Sequence, residues 1–501
     1  MKEHQIFCNI LDYGAIPGGE ASCTDAFKAA VKACATAGGG TVHVPAGLFR
    51  SGPIHLENNI TLHVSAGARI IFSQDPADFP IVDSRWEGVE RQVYSPLIYG
   101  KGLTNVAVTG RGVLDGRGQP WWKLYREGTL EYPRPRFICF EESYNVLIEG
   151  ITLVDSPAWT LNPIACENLT VNKVTIINPA DSPNTDGINP DSCKNIHISN
   201  CHVDVGDDCV TLKSGTEESS RRIPCENITI TNCTMVHGHG GVVIGSEMSG
   251  GVRNVTISNC VFEGTDRGIR VKTRRGRGGM VEDIRVTNIV MKDVICPLIM
   301  HQYYFCGPGG KEPIVWDKNP HPVTATTPNF RRIHLSNITA RGIKSAAIFL
   351  YGLPEQPISE LTFDNVSLEL AKGAEPVPPA MMTGLEPMAE RGLVAWNVKN
   401  VSFNNVTISG HQGPAFQIND ASNLEFSRCA SGAASEAPVI RLENTQDVFI
   451  HGCRPEAGSE PFLELAGTEN RQIELAANSS KLNAERIRCS AGATKDAVTI
   501  R

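Results

Sequence analysis

The sequence of 501 residues has no apolar run that approaches the length of a transmembrane helix, so nothing in it predicts a membrane span. Its first residues, "MKEHQIFCNILDYGA", lack the apolar core and small-residue cleavage site of a signal peptide. The chain is therefore expected to be cytoplasmic as written, or periplasmic or secreted if a signal was removed. It has no excess of positive charge either: the net charge is −8, which argues against a nucleic-acid partner. Paired CxxC motifs are absent, so the sixteen cysteines predict neither a zinc site nor a dense disulfide framework. Cys193, Cys201, Cys209, Cys225 and Cys233 lie at multiples of eight beside strand-like runs, and are expected to pack as small core hydrophobes. A hydrophobic content of 41% with 20% charged residues excludes a disordered chain.

Helical signals are also scarce. The clear one is "CTDAFKAAVKACATAGGG", which predicts a helix over about 25–37 with Thr24 as its cap. Its apolar stripe is Phe27, Ala30, Val31 and Cys34, and Gly38 to Gly40 stop it. What is present instead is a short strand cadence that returns again and again: "NVAVTG", "NLTVNKVTI", "NIHISNCHV", "NITITNCTM", "NVTISNCVF". Asn145, Asn168, Asn195, Asn227 and Asn254 are spaced by 23, 27, 32 and 27 residues, the period of a solenoid. Two or three short strands per unit, with Gly and Asn at the corners, predict an all-β fold: a single-stranded right-handed parallel β-helix. Residues 1–50 would form an N-terminal helical cap continuous with a solenoid over 51–501. The N-x-S/T pattern at Asn168, Asn227 and Asn254 reads as corner asparagines bonding along a ladder rather than as glycosylation sites. Segments 73–97, 305–330 and 369–392 break the cadence as long irregular loops, and such loops on a regular scaffold are often functional. Trp86, Trp122 and Trp316 on or near them are candidates for sugar stacking, against plain loop packing.

The densest chemistry is "NTDGINPDSCKNIHISNCHVDVGDDCVTLKSG". Asp186 precedes Asp207 and Asp208 by about one coil, which puts the three on neighbouring rungs about 4.8 Å apart. Carboxylates this close cannot all ionise freely, so at least one pKa should rise, as suits an acid beside a base. Asp191 and Asp204 are expected to be turn and surface residues. His239 follows about one coil after Asp208. In "GIRVKT" alternation sends Ile269 and Val271 inward, leaving Arg270 and Lys272 as a two-cation claw for a carboxylate. Arg274, Arg275 and Arg277, on a Gly-rich turn, read as a solvated turn rather than as an extension of the basic rim. An acidic cluster with a basic claw suggests a sugar that carries its own carboxylate. Alternation poses one difficulty: Asp207 and Asp208 can both reach a cleft only if the chain bends before Cys209, which Gly206 permits.

The ordered set "NTD" (184–186), "GDD" (206–208), "HG" (239–240) and "RVK" (270–272) resembles the polygalacturonases, family 28 of the glycoside hydrolases. With the amino-terminal "LDYGAIPGG…AFKAAVKACATAGGGTVHVPAG", the resemblance covers roughly residues 9 to 430. It implies a cleft on coils of about 100–300, with Asp207 as general acid and Asp186 and Asp208 holding the attacking water. His239 would support the acid, while Asn184, Arg270 and Lys272 bind substrate; "HQYYF" adds Tyr304 to the substrate binders. The implied reaction is hydrolysis of α-1,4-galacturonosidic bonds with inversion, with no cofactor and no metal. The partner is a galacturonate-containing oligo- or polysaccharide. "HGGVVIGSEMSGG", "YSPLIYG" and the long loop near 73–97 resemble the bacterial exo-acting branch. Three alternatives stay open: another pectin-backbone hydrolase such as a rhamnogalacturonan hydrolase, a calcium-dependent pectate lyase, and a non-catalytic β-helix that binds carbohydrate.

Overall fold

The computed structural model describes residues 6–431, 437–454, 461–479 and 486–501. The chain is all-β, a right-handed parallel β-helix with few helices. Its residues divide into two compact units, Met1–Val242 with Ser249–Val255, and Val243–Met248 with Thr256–Arg501.

In the first unit the cadence seen in the sequence becomes a ladder in strict register. Val106, Val146, Leu169, Ile196 and Ile228 stand on successive rungs, all buried, and Val108, Ile148, Val171, Ile198 and Ile230 form the next column inward. Alternate residues of each strand face out, as period two requires. The corner asparagines do what their spacing implied. Asn145, Asn168, Asn195, Asn227 and Asn254 all have φ near +57°, in the left-handed region that asparagine tolerates. Their amides bond along the axis, with Asn195 Nδ2 donating to Asn168 Oδ1 and Asn227 Nδ2 to Asn195 Oδ1, both at 3.0 Å.

The predicted helix spans Thr24–Thr36 and buries Ala26, Phe27, Ala30, Val31 and Cys34. Thr24 is not its cap. Cys23 holds that position without a side-chain bond to the helix, and Thr24 Oγ1 instead accepts from the Gly52 amide at 2.8 Å, tying the helix to the strand connection beside it. A second helix, Gln119–Glu127, carries Trp121 and Trp122 and is not predicted by the pattern.

The second unit repeats the ladder with larger rings. Ile284, Ile333, Leu361, Val401, Leu424, Val448 and Ile473 align over seven rungs. Beside them Phe363 stacks on Phe403 at 5.3 Å and Phe403 on Phe426 at 5.0 Å. All sixteen cysteines are free thiols, and the five singled out by their spacing are buried. No helix among the described residues is long and apolar enough to cross a membrane.

Asn195→Ala removes two amide bonds and places a Cβ-bearing residue without a polar handle in the left-handed region. Unfolding in urea should show a loss of about 2–3 kcal/mol, from roughly 1 kcal/mol per bond and about 1 for the backbone. Asn195→Gly should recover the backbone part only.

Candidate active site

In the first unit the carboxylates of Asp186, Asp207 and Asp208 come together: one oxygen from each lies within 4.8 Å of the other two. The ladder accounts for part of this. The Gly187 amide donates to Asp208 O and the Ile188 amide to Cys209 O, so the two segments are adjacent rungs. The difficulty over alternation is resolved by a bend: His202–Val205 ends, Val210–Leu212 begins, and residues 206–209 between them are not strand. A Cβ on Gly206 would meet Ser182 O at 2.4 Å, so the bend needs glycine there. Thr185 Oγ1 accepts from the Gly206 amide at 3.3 Å and pairs with Ser182 Oγ at 2.5 Å, fixing the two acidic turns against each other.

The three acids are not equivalent. Asp186 and Asp208 are buried, whereas Asp207 is half-buried. Asn189 Nδ2 donates to Asp186 Oδ2 at 2.9 Å, while Asp186 Oδ1 is buried with no hydrogen-bond partner. Burial, and then the charge of Asp207, push the Asp186 carboxyl well above the usual carboxylate range; the nearby Lys213 ammonium opposes them. This is the raised acid that the spacing predicts. The Asp208 amide donates to Asp207 Oδ1 at 2.8 Å, which pins the exposed member. His239 is exposed on the following rung, its amide donating to Asp207 O at 3.2 Å. Asn184 has φ +53°, and its Oδ1 accepts from Arg134 Nη2 at 2.7 Å. Three close carboxylates could also hold a divalent cation, and this is the geometric basis of the lyase alternative.

The other two aspartates separate in an instructive way. Asp204 lies at the surface, paired with His237 Nδ1 at 2.8 Å. Asp191 does not: it is buried and accepts from Arg85 Nη1 at 3.1 Å. Arg85 belongs to a regular antiparallel hairpin, Ile81–Trp86 with Val89–Tyr94, where an irregular loop was expected. Glu87 and Gly88, both at positive φ, make the two-residue turn such a hairpin requires. The hairpin is fastened at several points. Gly88 O accepts from Ser219 Oγ, Glu90 Oε2 from the Ser220 amide, and Trp86 stacks on Trp159 at 5.0 Å. Trp159 precedes Thr160, whose amide donates to Asp186 O, so the hairpin is anchored beside the acidic rung. Trp86 and Trp122 are thus spent on packing, the latter with Nε1 donating to Ser156 O, while Trp316 remains exposed.

In the second unit Ile269 and Val271 face the core as expected, and Arg270 and Lys272 take the other side of the strand Arg267–Lys272. They are not solvated cations: Arg270 is 1% and Lys272 5% exposed. Tyr304 joins them, its ring 5.1 Å from Lys272 Nζ and 5.8 Å from the Arg270 guanidinium. Arg274, Arg275 and Arg277 correct the expectation of a solvated turn, since all three are buried. Arg275 pairs with Glu355 at 2.6 Å and donates to Ile314 O and Asp317 O, and Arg274 donates to Pro308 O. They hold down the 305–330 segment.

Residues 34–377 match the sequence profile described as "Glycosyl hydrolases family 28". The chain belongs to this family. Among relatives of this family-28 hydrolase is a probable polygalacturonase of Vitis vinifera, 34% identical over 382 residues, covering 74% of this chain and 76% of that protein. An endo-polygalacturonase of Pectobacterium carotovorum is 30% identical over 298 residues, covering 56% and 71%. A solved structure, the hyperthermoactive exopolygalacturonase of Thermotoga maritima, superposes with a TM-score of 0.66 at 32% identity, covering 79% of this chain and 91% of that one.

Sequence reasoning missed Arg134, Asn189, Lys213 and Trp159 around the family-28 motifs. Lys213 was within reach: it directly follows the strand Val210–Leu212 after the acidic pair, is buried, and places Nζ 5.0 Å over the Trp159 ring. Arg134 reaches Asn184 from a segment without periodicity, and nothing in its spacing marks it.

A carboxyl raised above its unfolded value contributes stability that is full below about pH 4 and is lost as pH rises through the folded pKa. Asp186→Asn removes that loss. The stability of Asp186→Asn relative to wild type should therefore grow between pH 4 and pH 8 in urea unfolding; a flat difference would mean that the carboxyl is not raised.

Proposed function

We propose that this family-28 hydrolase cleaves α-1,4-galacturonosidic bonds in polygalacturonate and its oligomers, from the non-reducing end. The observation that carries the reading is the carboxylate triad, with one oxygen from each acid within 4.8 Å of the other two. Asp207, the most accessible of the three, acts as the general acid on the leaving oxygen. Asp186 and Asp208 hold and activate the attacking water, and His239 keeps the acid protonated and oriented. Arg270 forks onto the uronate carboxylate, Lys272 adds a point charge, and Tyr304 and Asn184 complete binding. The names of the relatives agree on polygalacturonate as substrate.

Inversion follows from the family resemblance rather than from spacing. Inverting pairs usually stand roughly 6.5–9.5 Å apart; the nearest triad oxygens lie within 4.8 Å. Asp207 shares this closeness with both, and Asp186 and Asp208 hold the water between them. Exo action draws support from the hairpin Ile81–Trp86 and Val89–Tyr94, anchored beside the acidic rung as a fixed wall, and from the Thermotoga relative. An open cleft would have no use for a wall held by a buried ion pair.

Asp207→Asn should lower kcat by about 10²–10⁴, the ordinary share of a general acid; near-normal turnover would sink the assignment. Lys272→Ala should chiefly raise KM on polygalacturonate, with kcat little changed. Digestion of a defined oligogalacturonide should release monomer alone from the first minutes. Mixed oligomers at early times would make the enzyme endo-acting.

A further inference from the structure

The column of side chains that begins at Lys272 does not stop at the claw. Register carries it directly to His301, then Tyr351, then Trp396. These are three steps of the ladder, spanning about 14 Å along the axis. The character of the column changes along the way. His301 is fully buried with neither ring nitrogen partnered, and burial, then the charges of Arg270 and Lys272, keep it neutral. Tyr351 and Trp396 are half-buried and stack at 4.7 Å with an interplanar angle of 20°. Above this pair the 305–330 segment places Lys318, an exposed residue whose Nζ lies 3.3 Å from the Tyr303 ring centre and 4.7 Å from that of Tyr351. Arg275 holds that segment through its bonds to Ile314 O and Asp317 O, so Lys318 is positioned rather than loose.

We propose that Tyr351, Trp396 and Lys318 form a binding site for the further uronate residues of a polygalacturonate chain, continuing from the sugar held by Arg270 and Lys272. The chemistry matches that ligand on two counts. A pyranose offers apolar C–H groups to the half-buried aromatic pair, and each uronate offers a carboxylate to the ammonium that lies over the Tyr351 ring. Lys318 Nζ is placed for the second role by its position over the Tyr303 and Tyr351 rings, where burial and then the charge of Arg275 depress it to about 7, with Asp317 opposing. An arriving carboxylate relieves that repulsion. The next rungs carry Asn419 and then Glu443, which is paired with Arg441 at 2.9 Å, so the aromatic part of the column ends at Trp396.

The inference rests on the proposed reaction, and substrate length separates the two. The measurement is kcat/KM on digalacturonate and on pentagalacturonate for wild type, Lys318→Ala and Lys318→Arg. Lys318→Ala should reduce the pentamer-to-dimer ratio about 10-fold through KM, with Lys318→Arg restoring most of it. A ratio that stays at the wild-type value, or equal losses on both lengths, overturns the downstream site. Failure of the wild-type protein to cleave either oligomer overturns the proposed reaction itself.

Discussion

Three carboxylates held with oxygens inside 4.8 Å of one another are an expense that no folding chain accepts without support. Much of the first unit can be understood as that support. The parallel ladder puts Asp186 and Asp208 on adjacent rungs, the bend at Gly206 turns Asp207 and Asp208 to the same side, and the hydroxyls of Ser182 and Thr185 tie the two turns together. Lys213 lies close enough to oppose the rise in the Asp186 pKa, but not enough to cancel it. The result is a site in which burial and the charge of Asp207 favour a proton on Asp186.

The division between scaffold and loops follows from the same geometry. A ladder can position side chains only at intervals of one rung and on one of two faces. Specificity needs other distances, and the inserted segments supply them. The hairpin built from Ile81–Trp86 and Val89–Tyr94 is locked by Arg85 to Asp191, an ion pair buried on both sides. The 305–330 segment is held through Arg274 and Arg275, whose guanidinium groups donate to its backbone carbonyls at Pro308, Ile314 and Asp317. Arginine suits both tasks because its planar fork reaches several acceptors at once.

This division also explains what could be read in the sequence. The β-helix, its asparagine ladder, the buried thiols and the meeting of the three aspartates were all legible, because each follows from a period and a face. So was the need for a bend before Cys209. Asp191 was misjudged as a surface residue, and Arg274, Arg275 and Arg277 as a solvated turn. Their partners lie far away in the chain or are backbone carbonyls, and neither leaves a periodic trace. The helix Gln119–Glu127 escaped for a related reason: Trp121 and Trp122 stand side by side in the sequence, both buried, and do not form a stripe.

The same triad could serve as acid and base or as the cage of a divalent cation, and one incubation distinguishes the two. Polygalacturonate treated with the protein in excess chelator, with reducing ends and near-ultraviolet absorbance followed together, should yield reducing ends at the undiminished rate and no absorbing product. An unsaturated, ultraviolet-absorbing product whose formation stops with the chelator would contradict the account.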